Sequence, residues 1–246
     1  MLAGVGAGLT GSVAGLASLV SYPALLAVGL PPVAANVTNT VALFGVTGGT
    51  IAGSQRELRG QGGRIRRLVV VSVLGGGVGA ALLLLTPAEA FEAVVPWLVG
   101  LGSLLLLARD RVRAWVAARP SNGQGHDHVR RTATWATVVF ALGVYGGYFG
   151  AGVGIIALAA LALERTEPLP VTNAVKNVAT GAANGAAAIA YICFAPVAWS
   201  AAIALGCGAV VGGLMGPSIV RVAPEAALRW LVGTAGLLLA LRLATG

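Results

Sequence analysis

Eight long apolar stretches, separated by short polar connections, leave this chain few folds to choose from. They run roughly over residues 3–30, 33–53, 68–86, 91–108, 134–163, 171–192, 197–220 and 226–244. Each holds at least 18 residues, close to the ~20 that a helix needs to cross ~30 Å of hydrocarbon. Of the 246 residues, 57% are hydrophobic and only 10% charged, with a mean hydropathy of +0.87. That is too little polar surface to cover a water-soluble globule, so the reading is an all-α, polytopic membrane protein surrounded by lipid bilayer. The 37 glycines would be poor helix formers in water. In lipid they let helices approach closely, or break where protein covers the freed backbone. Met1 leads straight into apolar sequence with no positively charged n-region, so the first stretch reads as retained membrane structure and not as a cleaved signal.

The eight stretches fall into two sets of four. LPPVAANVTNTVALFG from Leu30 and PLPVTNAVKNVATGAANG from Pro168 share a pattern at an offset of 138 residues, pairing Pro32 with Pro170, Val33 with Val171, Val37 with Val175 and Asn39 with Asn177. A Gly-rich stretch precedes both copies and a Gly-rich helix follows both, with Gly75 matching Gly213 at the same offset. This is the mark of a duplicated transporter, with repeats over 1–108 and 134–246 joined by a basic linker over 109–133.

The net charge of +8 is not a nucleic-acid signal, because eleven of the sixteen Lys and Arg residues lie in two connections. Arg56, Arg59, Arg64, Arg66 and Arg67 occupy one; Arg109, Arg111, Arg113, Arg119, Arg130 and Arg131 occupy the other. By the positive-inside tendency both face the cytoplasm. Eight full crossings would give both halves the same orientation, with twelve basic residues inside and three outside, Lys176 uncounted. The first stretch of each half has 28 and 30 residues, about 42 and 45 Å as helix and long for one upright crossing. Glycines interrupt both, at Gly11 and Gly15 and through GVYGGYFGAGVG from Gly143. A broken or re-entrant first segment leaves three crossings per half, inverts the second half and changes the basic split to fourteen against one. That favours inverted repeats, while strong tilt keeps eight full crossings open.

Lys176 is the only charged residue well inside an apolar stretch, ~9 Å into its helix from Pro170. A charge at a helix centre in the membrane costs ~2.5–3.5 kcal/mol, so such a lysine faces a cavity or a partner, or else snorkels to the surface. Asn173, Asn177, Thr180 and Asn184 stand at i, i+4, i+7 and i+11 and form a polar face beside it. Asn36, Thr40, Leu43 and Thr47 trace a weaker equivalent in the first half, flanked by Asn39. These amides either contact a solute or bond neighbouring helices, worth ~0.6 kcal/mol each. The matched places of Asn39 and Asn177 favour a shared site. A half-helix starting at Gly11 to Gly15, or at Gly150 to Gly154 with Gly152 between, would aim free N–H groups and a positive dipole end inward, where anions bind. Ser12, Ser18 and Ser21 add hydroxyl donors there or serve as packing, and Tyr145 and Tyr148 divide between pocket lining and packing.

All eight acidic residues lie in connections or at segment ends, which argues against an intramembrane carboxylate relay or a cation pump and for an anionic or neutral solute. The sequence carries no HExxH, GxSxG, Walker loop or paired carboxylate set, so nothing supports an enzyme, and no cofactor or metal is implied. His126 and His128 read as part of a solvated linker rather than a metal site. Cys193 and Cys207 read as small buried residues, with a disulfide as the alternative.

Taken in order, GLTGSVAGLASLVSYPALLAVGLPP, VTNTVALFG, a basic loop and GGGVGA, then YGGYFGAGVGIIALAALAL, VKNVATGAANG and GCGAVVGGLMGP, resemble the sulfite exporter TauE/SafE family, also called the toluene-sulfonate uptake permease family. The likeness spans nearly the whole chain. It implies a multi-pass place in a bacterial cytoplasmic (inner) membrane and transport of small anions across it, especially sulfite, sulfonates and related sulfur or carboxylate compounds. Many relatives place a basic residue directly after the position of Asn39, where this chain has Thr40; Lys176 instead precedes Asn177. The basic group then comes from one half only. The expectation is a secondary transporter with alternating access whose partner is a small anionic solute. A passive anion channel and a non-transporting membrane scaffold or accessory subunit are the alternatives. The oligomeric state is open, a homo-oligomer included.

Overall fold

The structure, a computed structural model, describes residues 1–14, 17–118, 128–165, 167–220 and 225–245. Among these residues it is all-helical, with no strand. The first half contains α1 (Leu2–Ala14), α2 (Ser18–Ala27), α3 (Pro32–Gly53), a single turn α4 (Gln55–Leu58), α5 (Gly62–Leu85) and α6 (Ala88–Ala117). The second contains α7 (His128–Tyr148), α8 (Val153–Glu164), α9 (Leu169–Phe194), α10 (Trp199–Val220) and α11 (Glu225–Thr245). Gly62–Leu85 and Ala88–Val112 have mean hydropathies of 2.5 and 1.9, long and apolar enough to cross a membrane.

The first apolar stretch of each half is broken into two helices. In the first, α1 runs on through Gly11 to Ala14 and α2 begins at Ser18; Gly15 lies outside the described residues. In the second, α7 ends at Tyr148 and α8 begins at Val153. Both broken segments fold back on themselves. Leu161, near the end of α8, shares an apolar cluster with Trp135 and Val139, in the first half and middle of α7, although a straight helix would hold Val139 and Leu161 ~33 Å apart. A Cβ on Gly6 of α1 would lie 3.4 Å from the Val20 side chain of α2, where a straight helix would separate the two by ~21 Å.

Each hairpin leans on a helix of the other half, through glycines that bring backbones together. Added to Gly143 of α7, a Cβ would sit 3.1 Å from Gly75 Cα of α5; added to Gly4 of α1, it would sit 3.0 Å from Gly208 Cα of α10. Gly79 of α5 faces the Val144 carbonyl of α7, and Gly212 of α10 faces the Val5 carbonyl of α1. Gly208 and Gly212 thus hold on α10 the places that Gly75 and Gly79 hold on α5. The sequence match of Gly75 with Gly213 is therefore not the packing match. The constant offset fails here chiefly because α5 starts about one turn further out than α10: Gly75 lies 13 residues past Gly62, whereas Gly208 lies 9 past Trp199.

At the centre α3 and α9 cross, with Phe44 lying over Gly185, while α6 and α11 pack together at the periphery, Leu107 against Gly233 and Ser103 against Gly236. The stretch read as a linker is shorter than expected: α6 continues through Arg109 to Ala117 and α7 begins at His128. Arg109 is buried there at 5% exposure. His126 lies outside the described residues. Cys193 and Cys207 are neither buried nor bonded; both are free and exposed, as expected for side chains on the lipid-facing surface of a bundle.

Candidate functional site

The break between α7 and α8 is the most constrained point of the bundle. Its backbone turns through Gly150 and Gly152, both at φ +77°, a left-handed conformation that costs a residue with a Cβ ~1–2 kcal/mol. Gly152 is also wedged against α6, where an added Cβ would lie 3.1 Å from Gly102 Cα. Ending a helix inside a membrane protein frees carbonyls that nothing in lipid can satisfy, and here those of Tyr145, Gly147 and Tyr148 each find a donor. The Phe149 and Gly150 N–H groups donate to the Tyr145 carbonyl at 3.0 and 2.9 Å. Asn36 Nδ2 of α3 donates to the Tyr148 carbonyl at 2.8 Å, the Tyr191 hydroxyl of α9 donates to the Gly147 carbonyl, and the Tyr145 hydroxyl donates to the Ala151 carbonyl at 2.6 Å. Beyond the turn, the Val153 and Ile155 N–H groups donate to Gly150 and Gly152. The break is therefore held by side chains from α3, α7 and α9, with the positive end of α8 set inside the bundle.

The polar face read from the second half is present on α9. Lys176 is only 8% exposed, and its Nζ donates to Asn173 Oδ1 at 2.9 Å. The Thr180 hydroxyl donates to the Lys176 carbonyl at 2.9 Å, one turn back on its own helix. Asn173, Asn177, Thr180 and Asn184 are half-buried, and Asn184 Oδ1 lies 3.9 Å from where a Cβ on Gly146 of α7 would be. A small, mostly apolar cleft of about 20 Å³, room for about one water, lies between α5, α7, α8 and α9, lined by Ser72, Trp135, Gly146, Leu161 and Thr180 among others. Trp135 Nε1 is buried there without a partner among the described residues.

The first-half stripe is used differently. Asn39, 2% exposed, accepts from the Ser21 hydroxyl of α2, which also reaches the Ala17 carbonyl at 2.9 Å. Thr40 donates to the Asn36 carbonyl on its own helix at 3.0 Å. Asn36 clips α3 to the end of α7, and its Oδ1 is buried without a partner among the described residues. Asn39 thus engages the first hairpin, while Val175, next to Lys176, packs with Leu161 of the second. Among the described residues no hydrogen bond joins Asn39 to Asn177. The structure gathers Asn173, Lys176 and Thr180 on one face and brings Asn184 to the second hairpin. Asn36 and Asn39 are fastened elsewhere. Ser18 is the half-buried first residue of α2, and the side chain of Ser12 lies outside the described residues.

This all-helical bundle, with broken hairpins and a buried lysine, has clear relatives. Residues 1–243 match the family described as sulfite exporter TauE/SafE. The chain belongs to the TauE/SafE family. A probable membrane transporter protein, ORF9, from a Sinorhizobium species is 27% identical over 244 residues, covering 96% of this chain and 88% of that protein. A probable membrane transporter protein from Haemophilus influenzae is 25% identical over 228 residues, 90% of this chain and 84% of the relative. No solved structure matches the chain. As a TauE/SafE protein it is a membrane-embedded transporter. Within its fold, the residues that sequence reasoning missed are Tyr191, whose hydroxyl braces the break, and the charged group around Arg64 at the end of α8. A tyrosine hydroxyl buried in an apolar run usually finds a partner, which was the available signal for the first. Nothing in the spacing of Arg64, Glu164 and Glu167 announced the second.

Proposed function

We propose that the protein is a secondary transporter of a small anion, sulfite or a sulfonate or a related sulfur-containing or organic oxyanion, working by alternating access between two inverted repeats in the cytoplasmic membrane. One observation carries the reading: an ammonium group, Lys176, is kept 8% exposed within a membrane helix, on a face it shares with Asn173, Asn177 and Thr180. A cation with amide and hydroxyl donors beside it attracts an oxyanion, and burial strengthens that attraction relative to water. The α9 face supplies the charge, Asn177 and Asn184 orient the solute, and the N-terminal turn of α8 adds a positive dipole end. Asn39 has the corresponding role on α3 toward the first hairpin. The two like crossings, α5 with α7 and α10 with α1, support a duplicated architecture in which one hairpin works for each side of the membrane.

The test is anion flux into proteoliposomes with sulfite and a small sulfonate, comparing the parent with Lys176→Met, which keeps the length of the side chain and removes its charge. Saturable uptake that falls at least ~10-fold in the variant supports the reading, in line with loss of ~1.4 kcal/mol or more of charge-assisted binding. Unchanged affinity and rate in Lys176→Met would remove the lysine from the site. Flux that never saturates and never accumulates against a gradient would make the protein a channel.

A further inference from the structure

At the end of the bundle where α5 begins, one arginine is engaged by two carboxylates. Arg64 Nε and Nη2 both donate to Glu164 Oε2, at 3.2 and 2.6 Å, and Nη1 donates to Glu167 Oε2 at 2.7 Å. The arginine side chain is 8% exposed, and those of Glu164 and Glu167 are 21% and 15% exposed. Gln61 Nε2 adds a bond to Glu167 Oε1 at 3.0 Å, and Arg165 stands 4.0 Å from the same oxygen. The group ties the first turn of α5 to the last residue of α8 and to the connection into α9.

Its position relative to the cleft gives it a consequence for transport. Leu68 lies one turn inward from Arg64 on α5, and Leu161 one turn inward from Glu164 on α8. Both side chains line the small cleft, and both belong to an apolar cluster with Val139 and Val175, packed by Leu58 and Trp135. From outside inward the order is ion pairs, apolar plug, then the cleft with Ser72 and Thr180. The second hairpin cannot part from α5 at this end while the ion pairs hold. At the first hairpin Leu26, Leu30, Val33 and Val197 pack against the core.

A guanidinium that offers three N–H groups to carboxylate oxygens is already arranged to bind an oxyanion. Arg56, Arg59, Arg66 and Arg67 stand exposed around it and raise the local concentration of anions. We infer that Arg64 is an anion receptor at the mouth of the second hairpin, with Glu164 and Glu167 as intramolecular stand-ins for the solute, so that an arriving oxyanion exchanges with the two carboxylates and releases α5 from α8. The exchange breaks no covalent bond: the guanidinium keeps its charge, and the freed carboxylates are solvated at the surface. The inference rests on the transport reading for its purpose and makes anion-triggered opening specific to the end that carries the basic loops.

The latch can be read without transport. In full-length protein with Cys193 and Cys207 replaced by alanine, Ser72→Cys places a thiol on the cleft wall, where Ser72 is 2% exposed. Labelling is followed with a charged, membrane-impermeant methanethiosulfonate reagent. Glu164→Gln with Glu167→Gln is expected to speed labelling about tenfold. Sodium methanesulfonate is expected to speed it severalfold in the parent background and not in the double variant, with sodium chloride at equal ionic strength doing less. Equal labelling rates with and without the two carboxylates, or a methanesulfonate effect that survives their removal, would overturn the inference. Should the double variant fail to fold, Glu164→Gln alone, which keeps the Arg64–Glu167 bond at 2.7 Å, must raise the rate by a smaller factor; no change would also overturn it. Loss of flux with the labelling pattern intact would count against the transport reading alone.

Discussion

At the scale of single residues, the organising problem is the carbonyl group left behind when a helix stops inside the bundle. Asn36 and Tyr191 solve it from two different helices by donating to the Tyr148 and Gly147 carbonyls. Removing either donor leaves a buried acceptor bare, which costs ~1–3 kcal/mol. Asn36→Leu and Tyr191→Phe should therefore each lower the stability of the detergent-solubilised protein by an amount in that range, read as a lower denaturation midpoint. Thr245→Ala, which loses only an exposed bond to its own helix, should leave it unchanged. If Tyr191→Phe is as stable as the parent, its hydroxyl is not bracing the break. The sequence placed Asn36 on a polar face with Thr40 but could not say what stood opposite, because a spacing of i, i+4 fixes a direction on one helix and nothing on its neighbour. Thr40 illustrates the same limit: its hydroxyl turns back to its own helix, as Thr hydroxyls commonly do.

At the scale of helices, the apolar stretches were legible because a membrane span needs a fixed length of apolar residues, and each stretch became one helix or one broken pair. Their ends were less legible. The helix α6 passes through Arg109 and Arg111, since arginine is a good helix former and a polar connection does not by itself end a helix. Glycine count was also blind to direction. On α5, a Cβ on Gly75 would lie 2.5 Å from the Phe140 carbonyl and 3.0 Å from Gly143 Cα, while nothing lies within 4 Å of one on Gly77. These two glycines, nearly adjacent and alike in sequence context, should respond oppositely to the same change. Gly75→Ala forces two backbones apart and should destabilise the protein by ~1–3 kcal/mol. Gly77→Ala should be neutral or stabilise it by up to ~1 kcal/mol, because alanine is the better helix former. Thermal denaturation in detergent compares the two directly; equal losses would mean that the α5–α7 crossing is looser than its geometry requires.

At the scale of the whole molecule, the packing of the hairpins bears on how many times the chain crosses the bilayer. The start of α7, the end of α8 and the starts of α5 and α9 meet in one cluster of Trp135, Val139, Leu161, Leu68 and Val175. We propose on this basis that the α7–α8 segment enters and returns on one side. The Ala198 N–H donates to the Thr38 hydroxyl at 3.0 Å, which brings the start of α10 to the start of α3. Three crossings per half follow for the proposed arrangement: α3, α5 and α6, then α9, α10 and α11. With the arginines around α4 and the α6–α7 connection on the cytoplasmic side, the chain begins and ends on the opposite side. Alkaline phosphatase fused at either terminus should be active, a fluorescent protein that matures only in the cytoplasm should be dark at both, and an epitope inserted between Leu58 and Gly62 should be reached only after the membrane is opened. Eight full crossings would reverse the readings at both termini while leaving the epitope unchanged. The termini are therefore the positions that decide, and a cytoplasmic reading at both would mean that each hairpin opens into a full crossing in the membrane, taking with it the sided latch at Arg64.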